Sequence, residues 1–418
     1  MGARAPAPTR PAHYDCMRQT ATAGDDTPQT PQNCPDPEPG IVVRVSSPPA
    51  LLAVIPHLIG FWPAASVVII GLTPPRDRIR VTLRYDLPDP PDADLAADIA
   101  AHAAGVLSAQ HLTEATAVGY GSETLVLPVA DALRTQTWKA GIDLRDFLRV
   151  QDGRYWSYSC QDEDCCPAEG TPFDVASRSA VAVLDRDGMP VLSDRAALAD
   201  RVAPLGGGTA ESMRRATRQA ERHVAQLLRK VRTSSRLGAA RHMIAAESLA
   251  AVGAMIARYR GGGRFATDDE VARITVALRD LRVRDDAWAR MDPAHCDPHL
   301  RLWLDVVRRA QPGHVAGPAA LLAFVAWQSG DGALANVALD RALADDPDYS
   351  MALLLRQVIT AGAPPSLARL PMTPEEVAAS YDEAEAGPGA DGSDDGDDDT
   401  YVHELDAADH DPDSAGEE

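Results

Sequence analysis

The sequence predicts a mixed-sheet α/β domain followed by an all-helical domain. Between residues 41 and 204, short β-branched or alternating apolar segments are separated by longer alanine-rich segments, a pattern typical of strands interleaved with helices. The pair Asp152-Gly153 lies between two alternating segments and predicts a hairpin with a type I′ turn. After Ala203 the strand signals stop, and apolar residues recur at helical spacing as far as residue 365.

The first predicted elements are a short strand, a helix and a buried strand. The strand is "IVVRV" at 41–45, and Ser47 with Pro48 predicts the start of a helix that ends at Gly60. These residues suit those places because Ser caps helices, Pro fits the first helical turn and Gly ends helices. The β-branched block at 66–72 predicts a buried strand.

The rest of the sheet domain alternates strands and helices. Residues 78–87 alternate strictly between apolar and polar side chains, which predicts a strand with one solvated face on a partly open sheet. A helix over 94–110, a strand over 116–120 and a helix over 123–140 follow. The hairpin is predicted over 142–159, so that its return strand leads into the first cysteine of a cysteine-rich stretch.

The charge-free run at 45–75 raises the question of a membrane span. It is longer than the roughly 20 residues that a helix needs to cross a bilayer, but Pro56 and Pro63 interrupt it. We therefore expect a helix and a strand there, and no membrane partner. The six cysteines are unevenly placed and the first 20 residues have no apolar signal region, which together predict a cytoplasmic location.

The negative charge is concentrated at one end of the chain. Residues 375–418 hold 18 acidic residues and no Lys or Arg, and residues 1–40 contribute a net charge of -2, so the total of -21 leaves -1 for the body. Both end segments are predicted to be disordered, the first because it is rich in proline and the second because it is acidic. The nearly neutral body does not favour a nucleic-acid partner. The folded domains are predicted at 41–204 and 205–370.

The start of the helical domain is basic. Residues 205–241 hold nine basic and two acidic residues, and apolar side chains from Met213 to Val231 recur at steps of three and four, which predicts one buried seam. Arg214, Arg218 and Arg222 lie on the other faces and are candidate binding residues. We expect a protein partner to bind through this domain, and the acidic tail to cover the arginine face transiently in a salt-dependent manner.

Near its end the helical domain resembles one tetratricopeptide repeat. The turn, the small residue between the helices and the terminating proline occur at the spacings of that repeat. These positions are Gly330, Asp331, Ala335, Leu339, Ala342 and Pro347. One such hairpin cannot bury its own apolar face, so it is expected to pack on the preceding helices, where Trp303 and Trp327 are available. An ordinary helical hairpin remains the alternative.

The stretch "DGRYWSYSCQDEDCCPAEGTPFD" at 152–174 holds the candidate chemistry. Cys160, Cys165 and Cys166 are candidate ligands of a metal ion, with zinc as the candidate cofactor, because zinc prefers thiolates and would offset the neighbouring carboxylates. Adjacent Cys165 and Cys166 are not expected to reach one ion together. Arg154 and Trp156 are candidate binding residues.

Ligands from the helical domain could complete such a site, namely His295, Cys296 and His299. Two alternatives remain open. One is a reactive thiol, which the neighbouring acids disfavour because they hold thiols neutral. The other is a purely structural loop in which the cysteines and aromatic residues are buried.

Four segments together resemble a known family. They are "PPALLAVIPHLIGFWPAASVVIIGL", "RVTLRYDLP", "GRYWSYSCQDEDCCPAEGTPFD" and "LLAFVAWQSGDGALANVALDRALADDP". Over roughly residues 43–365 the chain resembles the actinobacterial family catalogued as domain of unknown function 4192 (DUF4192). Because that family has no established activity, the resemblance implies the extent of the fold and a cytoplasmic location, and it implies no chemistry.

No nucleotide-binding loop, dinucleotide fingerprint or nucleophile elbow occurs in the sequence. An enzyme is therefore not favoured. The sequence predicts a non-catalytic binding or scaffold protein, and the alternative is an enzyme with a metal or thiol site around Cys160 to Cys166.

Overall fold

The computed structural model describes residues 47–73, 78–160, 162, 164–173, 191–229, 234–263, 265–365 and 372–386. The predicted strand at 41–45, the predicted N-terminal tail and most of the predicted acidic tail lie outside these residues. Within them, a sheet built by the first part of the chain is followed by helices, as the sequence predicts.

The charge-free run at 45–75 forms a helix and a strand. Helix α1 (Pro48–Ile59) starts after its N-cap residue Ser47 and ends at Gly60, whose φ of 80° is left-handed. Strand β1 (Ser66–Thr73) is buried over almost its whole length. The predicted division of this run is confirmed. None of the helices in the described ranges combines the length and the apolar character that a membrane crossing needs.

The described strands form one mixed sheet. They are, after β1, β2 (Arg78–Asp86), β3 (Glu114–Tyr120), β4 (Asp143–Gln151), β5 (Arg154–Ser157) and β6 (Thr171–Pro172). Their order in space is β2-β1-β3-β4-β5-β6. Strands β3 and β4 run parallel, and the other neighbours are antiparallel. Helices α2 (Ala93–Ala109) and α3 (Glu123–Lys139) connect β2 to β3 and β3 to β4.

The hairpin between β4 and β5 has the predicted turn. Asp152 and Gly153 adopt φ values of 49° and 72°, and positive φ at both central residues is the signature of a type I′ turn. Gln151 and Arg154 pair on either side of it. The return strand β5 thus delivers the chain to Cys160 at the edge of the sheet.

Both faces of the sheet are covered, because side chains alternate along a strand. Val67 and Ile69 of β1 pack with α2 and α3 in one cluster of buried residues. Val68 and Ile70 belong to a second cluster, which includes α1 and extends into the helical region. The sheet and the helices therefore share a continuous core on this face.

The chain after the sheet is helical in its described part. The helices are α4 (Arg195–Asp200), α5 (Gly207–Arg229), α6 (Ser234–Arg260), α7 (Asp268–Ala277), α8 (Leu281–Ala289), α9 (Cys296–Arg309), α10 (Ala316–Gln328), α11 (Gly332–Asp345), α12 (Ser350–Thr360) and α13 (Pro374–Ala386). The predicted fold class is confirmed. The division into domains at 204 stays a prediction.

Helix α5 has the first half of the predicted seam, whereas Val224 and Leu227 farther along are only half-buried. Met213, Thr217 and Ala220 are buried along one face. The candidate binding residues of this helix are exposed, namely Arg214, Arg218 and Arg222. The basic residues therefore lie on the solvent side, as the periodicity predicts.

Helices α10 and α11 form the predicted hairpin. The turn contains Gly330, with φ at 85°, and Asp331 caps α11 by accepting the Leu334 amide N–H at 2.9 Å. Ala335, Leu339 and Ala342 of α11 are fully buried, as are Trp303 on α9 and most of α10. The hairpin thus packs on its neighbours. Its likeness to a tetratricopeptide repeat stays a prediction.

Helix α13 lies within the segment expected to be a disordered acidic tail. Residues 375–386 are instead helical. Thr373 and Glu376 cap the helix reciprocally, since each accepts the other's amide N–H, at 3.2 and 2.7 Å. Tyr381 donates to Asp285 at 2.6 Å. The cap and the Tyr381 contact with α8 hold this helix in place. The acidic composition of the segment did not indicate either of them.

Candidate metal centre

The end of β5 is held by the side chain of Ser157. Its Oγ donates to Asp146 Oδ1 on β4 at 2.7 Å. The same oxygen accepts the amide N–H groups of Ser159 and Cys160, at 3.2 and 3.1 Å. A hydroxyl that bonds to the backbone two and three residues onward forces a local turn. Cys160 is therefore fixed in position directly after the strand.

A second turn begins at Asp162. Its carbonyl oxygen accepts the amide N–H groups of Cys165 and Cys166, at 3.1 and 2.7 Å. Its Oδ1 accepts the Asp164 amide N–H at 3.0 Å. Because Asp readily makes such side-chain turns, this residue folds the chain back. Cys165 and Cys166 return toward Cys160.

The two turns bring three sulfur atoms together. The Sγ atoms of Cys160, Cys165 and Cys166 all lie within 4.8 Å of one another. In a tetrahedral zinc site, with Zn–S near 2.3 Å, sulfur atoms lie about 3.8 Å apart. Cys165 and Cys166, which were not expected to reach one ion together, both lie beside Cys160, because the Asp162 carbonyl accepts both of their amide N–H groups and tightens the chain there.

The candidate ligands from the helical region do not join this cluster in the described structure. His295 contacts Asp292 at 2.8 Å through Nδ1. The Cys296 thiol donates to the Pro293 carbonyl at 3.4 Å. His299 is buried in the helical core with a relative exposure of 1%. His295 and Cys296 thus have local partners around the start of α9, whereas both ring nitrogens of His299 are buried without a hydrogen-bond partner among the described residues.

The pKa values of Cys160 and Cys166 are shifted in opposite directions. A hydrogen bond from the Asp162 amide lowers the pKa of Cys160, and the Cys166 thiol contributes a second one. Burial, together with the hydrogen bonds and charges of its two cysteine neighbours, raises the pKa of Cys166 to about 12. The neighbouring acids were expected to raise the pKa of these thiols, but for Cys160 the amide hydrogen bond outweighs their charge and the net shift of its pKa is downward. A cation would allow all three to ionise.

Arg154 and Trp156 hold the far side of the loop. Arg154 donates to the carbonyls of Glu169 and Gly170, at 3.3 and 2.7 Å. Trp156 Nε1 donates to the Ala168 carbonyl at 3.0 Å. Their polar groups thus fix the returning chain. A role of Arg154 and Trp156 in binding a partner stays a prediction.

Gly170 and Arg149 complete this support, and neither was among the candidate site residues. Gly170 has φ at 80°, and a Cβ there would lie 2.4 Å from Trp156 Cε2. The Arg149 guanidinium lies 3.6 Å from the centre of the Trp156 ring, a favourable stacking contact. The sequence feature that could have identified Gly170 is its position directly after "CCPAE", because Gly allows the left-handed backbone of a turn.

The arginines of α5 belong to another part of the surface. Arg222 lines a cavity with His223, Glu247, Asp269 and Arg273. This cavity and an adjoining groove between α5, α6 and α7 were not predicted, because they depend on how three helices pack.

The structure defines a mixed-sheet α/β fold, extended by helices, with a cluster of three thiols at the sheet edge. The chain belongs to the family described as a domain of unknown function, DUF4192, whose model matches residues 48–366. The resemblance noted in the sequence is thereby confirmed. Comparison with curated proteins and with solved structures finds no match.

Proposed function

We propose that this protein is a non-catalytic binding protein in which Cys160, Cys165 and Cys166 hold a zinc ion. The observation that carries the proposal is the convergence of their three Sγ atoms within 4.8 Å. Two hydrogen-bonded turns hold this arrangement before any ion is present, which lowers the entropic cost of collecting the ligands. The site is thus prepared for a soft, thiolate-binding metal.

The charges near the cluster support a cation. Asp162 and Asp164 lie in the same turn, and three thiolates would add three negative charges that repel one another without an ion. A divalent ion reverses this balance. Zinc takes four ligands in structural sites, so water or a group from a partner would occupy the fourth position.

The ion would stiffen an exposed loop. None of the described residues from Cys160 to Glu169 is buried, so apolar burial contributes little to the conformation of the cysteine turn. A metal that joins Cys160, next to β5, to Cys165 and Cys166 would fix the loop as a rigid surface for a protein partner. Reduced thiolates are also what the predicted cytoplasmic location would provide.

The test is the zinc content of the purified full-length protein. We expect about one zinc ion per chain, as in a mononuclear thiolate site, and substoichiometric zinc in Cys160→Ser, Cys165→Ser and Cys166→Ser. Cys296→Ser is the matched control, since this cysteine lies on α9 and should retain the metal. Equal zinc in all four variants, or none in the unmodified chain, would contradict the proposal.

A second candidate function is thiol chemistry, which the lowered pKa of Cys160 favours together with its two sulfur neighbours. Cys160 and one neighbour would form a disulfide, and two protons and two electrons would pass to a disulfide oxidant such as oxidised glutathione. Rapid, reversible oxidation of the chain as purified, without bound zinc, would favour this candidate over the metal site.

A further inference from the structure

A groove with an apolar floor lies between α5, α6 and α7. Its volume is about 490 Å³, which is within the range of ligand-binding pockets. The floor residues come from three helices and include Val224, Leu227, Leu228, Ile244, Ala245 and Val276. An open apolar surface of this kind usually has a partner that covers it.

The rim of the groove is basic. Arg241, Arg273, Arg279 and Arg282 line it together with two acids, Glu247 and Asp280. With Asp382, which pairs with Arg282, four positive and three negative charges leave a net charge of +1 around an apolar floor. The groove therefore suits a segment that is both acidic and apolar.

Helix α13 brings such a segment to the groove. Tyr381 lines it, while Arg282 and Asp382 form an ion pair at 2.8 Å that fixes α13 against the start of α8. The helix ends at Ala386, five residues beyond Tyr381, or about 7.5 Å along the axis at the helical rise. The chain after α13 thus departs from a point close to the groove.

The sequence that follows has the required chemistry. Residues 387–418, which lie outside the described ranges, hold 13 acidic residues and no Lys or Arg. Apolar residues are grouped in "TYVHELDAAD", where Tyr401 and Leu405 are four residues apart. In a helix that spacing places both side chains on one face, which is how amphipathic helices bind in grooves.

We propose that residues 400–409 bind in this groove of their own chain. Tyr401 and Leu405 would contact the apolar floor, and the acidic residues around them would face the arginines of the rim. Between Ala386 and Tyr401 lie 14 residues, and a flexible linker of that length has a typical end-to-end distance of roughly 20 Å. This tether makes binding intramolecular, at an effective concentration on the order of millimolar.

Hydrogen exchange of full-length protein tests the binding. We compare the unmodified chain with Tyr401→Ser/Leu405→Ser, in which the tail keeps its length and charge. The amides of α5 around Val224 and of α6 around Ile244 should exchange at least about threefold faster in the variant, because a bound segment suppresses local opening. Unchanged exchange at both helices would overturn the proposal.

A groove variant gives an independent test with a matched control. Leu281 lines the groove and is 52% exposed, whereas Leu354 on α12 is 60% exposed and does not line it. Leu281→Glu should accelerate exchange on α5 and α6 as the tail variant does, because it adds a charge that repels the tail. Leu354→Glu should not. Equal effects of the two substitutions would contradict the assigned site.

Dilution separates the chain's own tail from the tail of a second copy. Protection of α5 and α6 should be independent of protein concentration if binding is intramolecular. Protection that falls on dilution, together with loss of a dimer in sedimentation analysis, would overturn the assignment to the same chain. The inference does not depend on the metal proposed for the cysteines.

Discussion

The core around α10 and the cysteine turn are held by different forces. Every residue of α10 from Ala316 to Trp327 is buried, so this helix is fixed by apolar contacts on all sides. The cysteine turn has no buried residue from Cys160 to Glu169 in its described part. It is held by hydrogen bonds that Ser157 and Asp162 accept and that Arg154 donates. Each such bond contributes only about 1 kcal/mol net.

This difference indicates where function is to be sought. Apolar burial explains the conformation of α10 completely, and no further role is needed for its residues. In the cysteine turn, thiols and acids converge without a core beneath them. Such a segment gains a stable conformation from a ligand, and a metal ion is the ligand that its side chains can bind.

The largest expected effect is in the helical core. Trp303 is fully buried and Trp138 on α3 is 81% exposed. We expect Trp303→Ala to lower the free energy of unfolding by about 3–5 kcal/mol and Trp138→Ala by less than about 0.5 kcal/mol. Urea unfolding measures both. Similar losses for the two variants would show that burial does not hold this region.

The next effect is the pH dependence of stability. Burial lowers the pKa of His299 to about 4 from its usual 6.5, so between these values the unfolded chain binds a proton that the folded chain excludes. The free energy of unfolding should therefore decrease as the pH is lowered, by about 1.4 kcal/mol per pH unit or about 2 kcal/mol from pH 6.5 to pH 5. His299→Leu should remove this contribution.

Urea unfolding at the two pH values checks it, with His242→Gln as the control because His242 is exposed. The control should keep the slope of the unmodified chain. An unchanged slope in His299→Leu would mean that the core accepts the protonated ring.

A smaller effect distinguishes the supports of the cysteine turn. Gly153 and Gly170 both have positive φ, but a Cβ at Gly153 would meet nothing within 4 Å, whereas one at Gly170 would meet the Trp156 ring. Left-handed strain alone should cost Gly153→Ala about 1 kcal/mol. The steric conflict should cost Gly170→Ala about 1–2 kcal/mol more.

Thermal unfolding and zinc content should be measured on both glycine variants. Gly170→Ala should also lose zinc, since its contact with Trp156 positions the loop, and Gly153→Ala should retain it. Equal zinc in the two variants would mean that Trp156 does not support the thiol cluster.

The sequence was sufficient for elements with strong local signals. The helix between Ser47 and Gly60 and the turn at Asp152-Gly153 were predicted because Pro48, Gly60 and the turn residues act over a few positions, although the Ser47 side chain makes no capping hydrogen bond. Helix α13 was missed although Thr373 and Glu376 form a capping pair, because acidic composition was given more weight than that pattern.

The sequence identified the residues of the candidate site but not their arrangement in space. The three cysteines could be chosen from their residue type, but their convergence depends on the Asp162 carbonyl, an acceptor that every residue carries. The support from Trp156 and Gly170 involves chain segments 14 residues apart, and the groove between α5, α6 and α7 depends on helix packing. None of these leaves a periodic signal in the sequence.

Cobalt(II) spectroscopy of the full-length chain tests the metal site. After treatment with a chelator, one equivalent of cobalt should give the thiolate charge-transfer absorption and the visible bands of a tetrahedral site. The charge-transfer intensity should match three thiolates, should fall in Cys165→Ser and should remain in Cys296→Ser. Cobalt binding without a thiolate absorption, or equal spectra for the two variants, would contradict a metal centre formed by Cys160, Cys165 and Cys166.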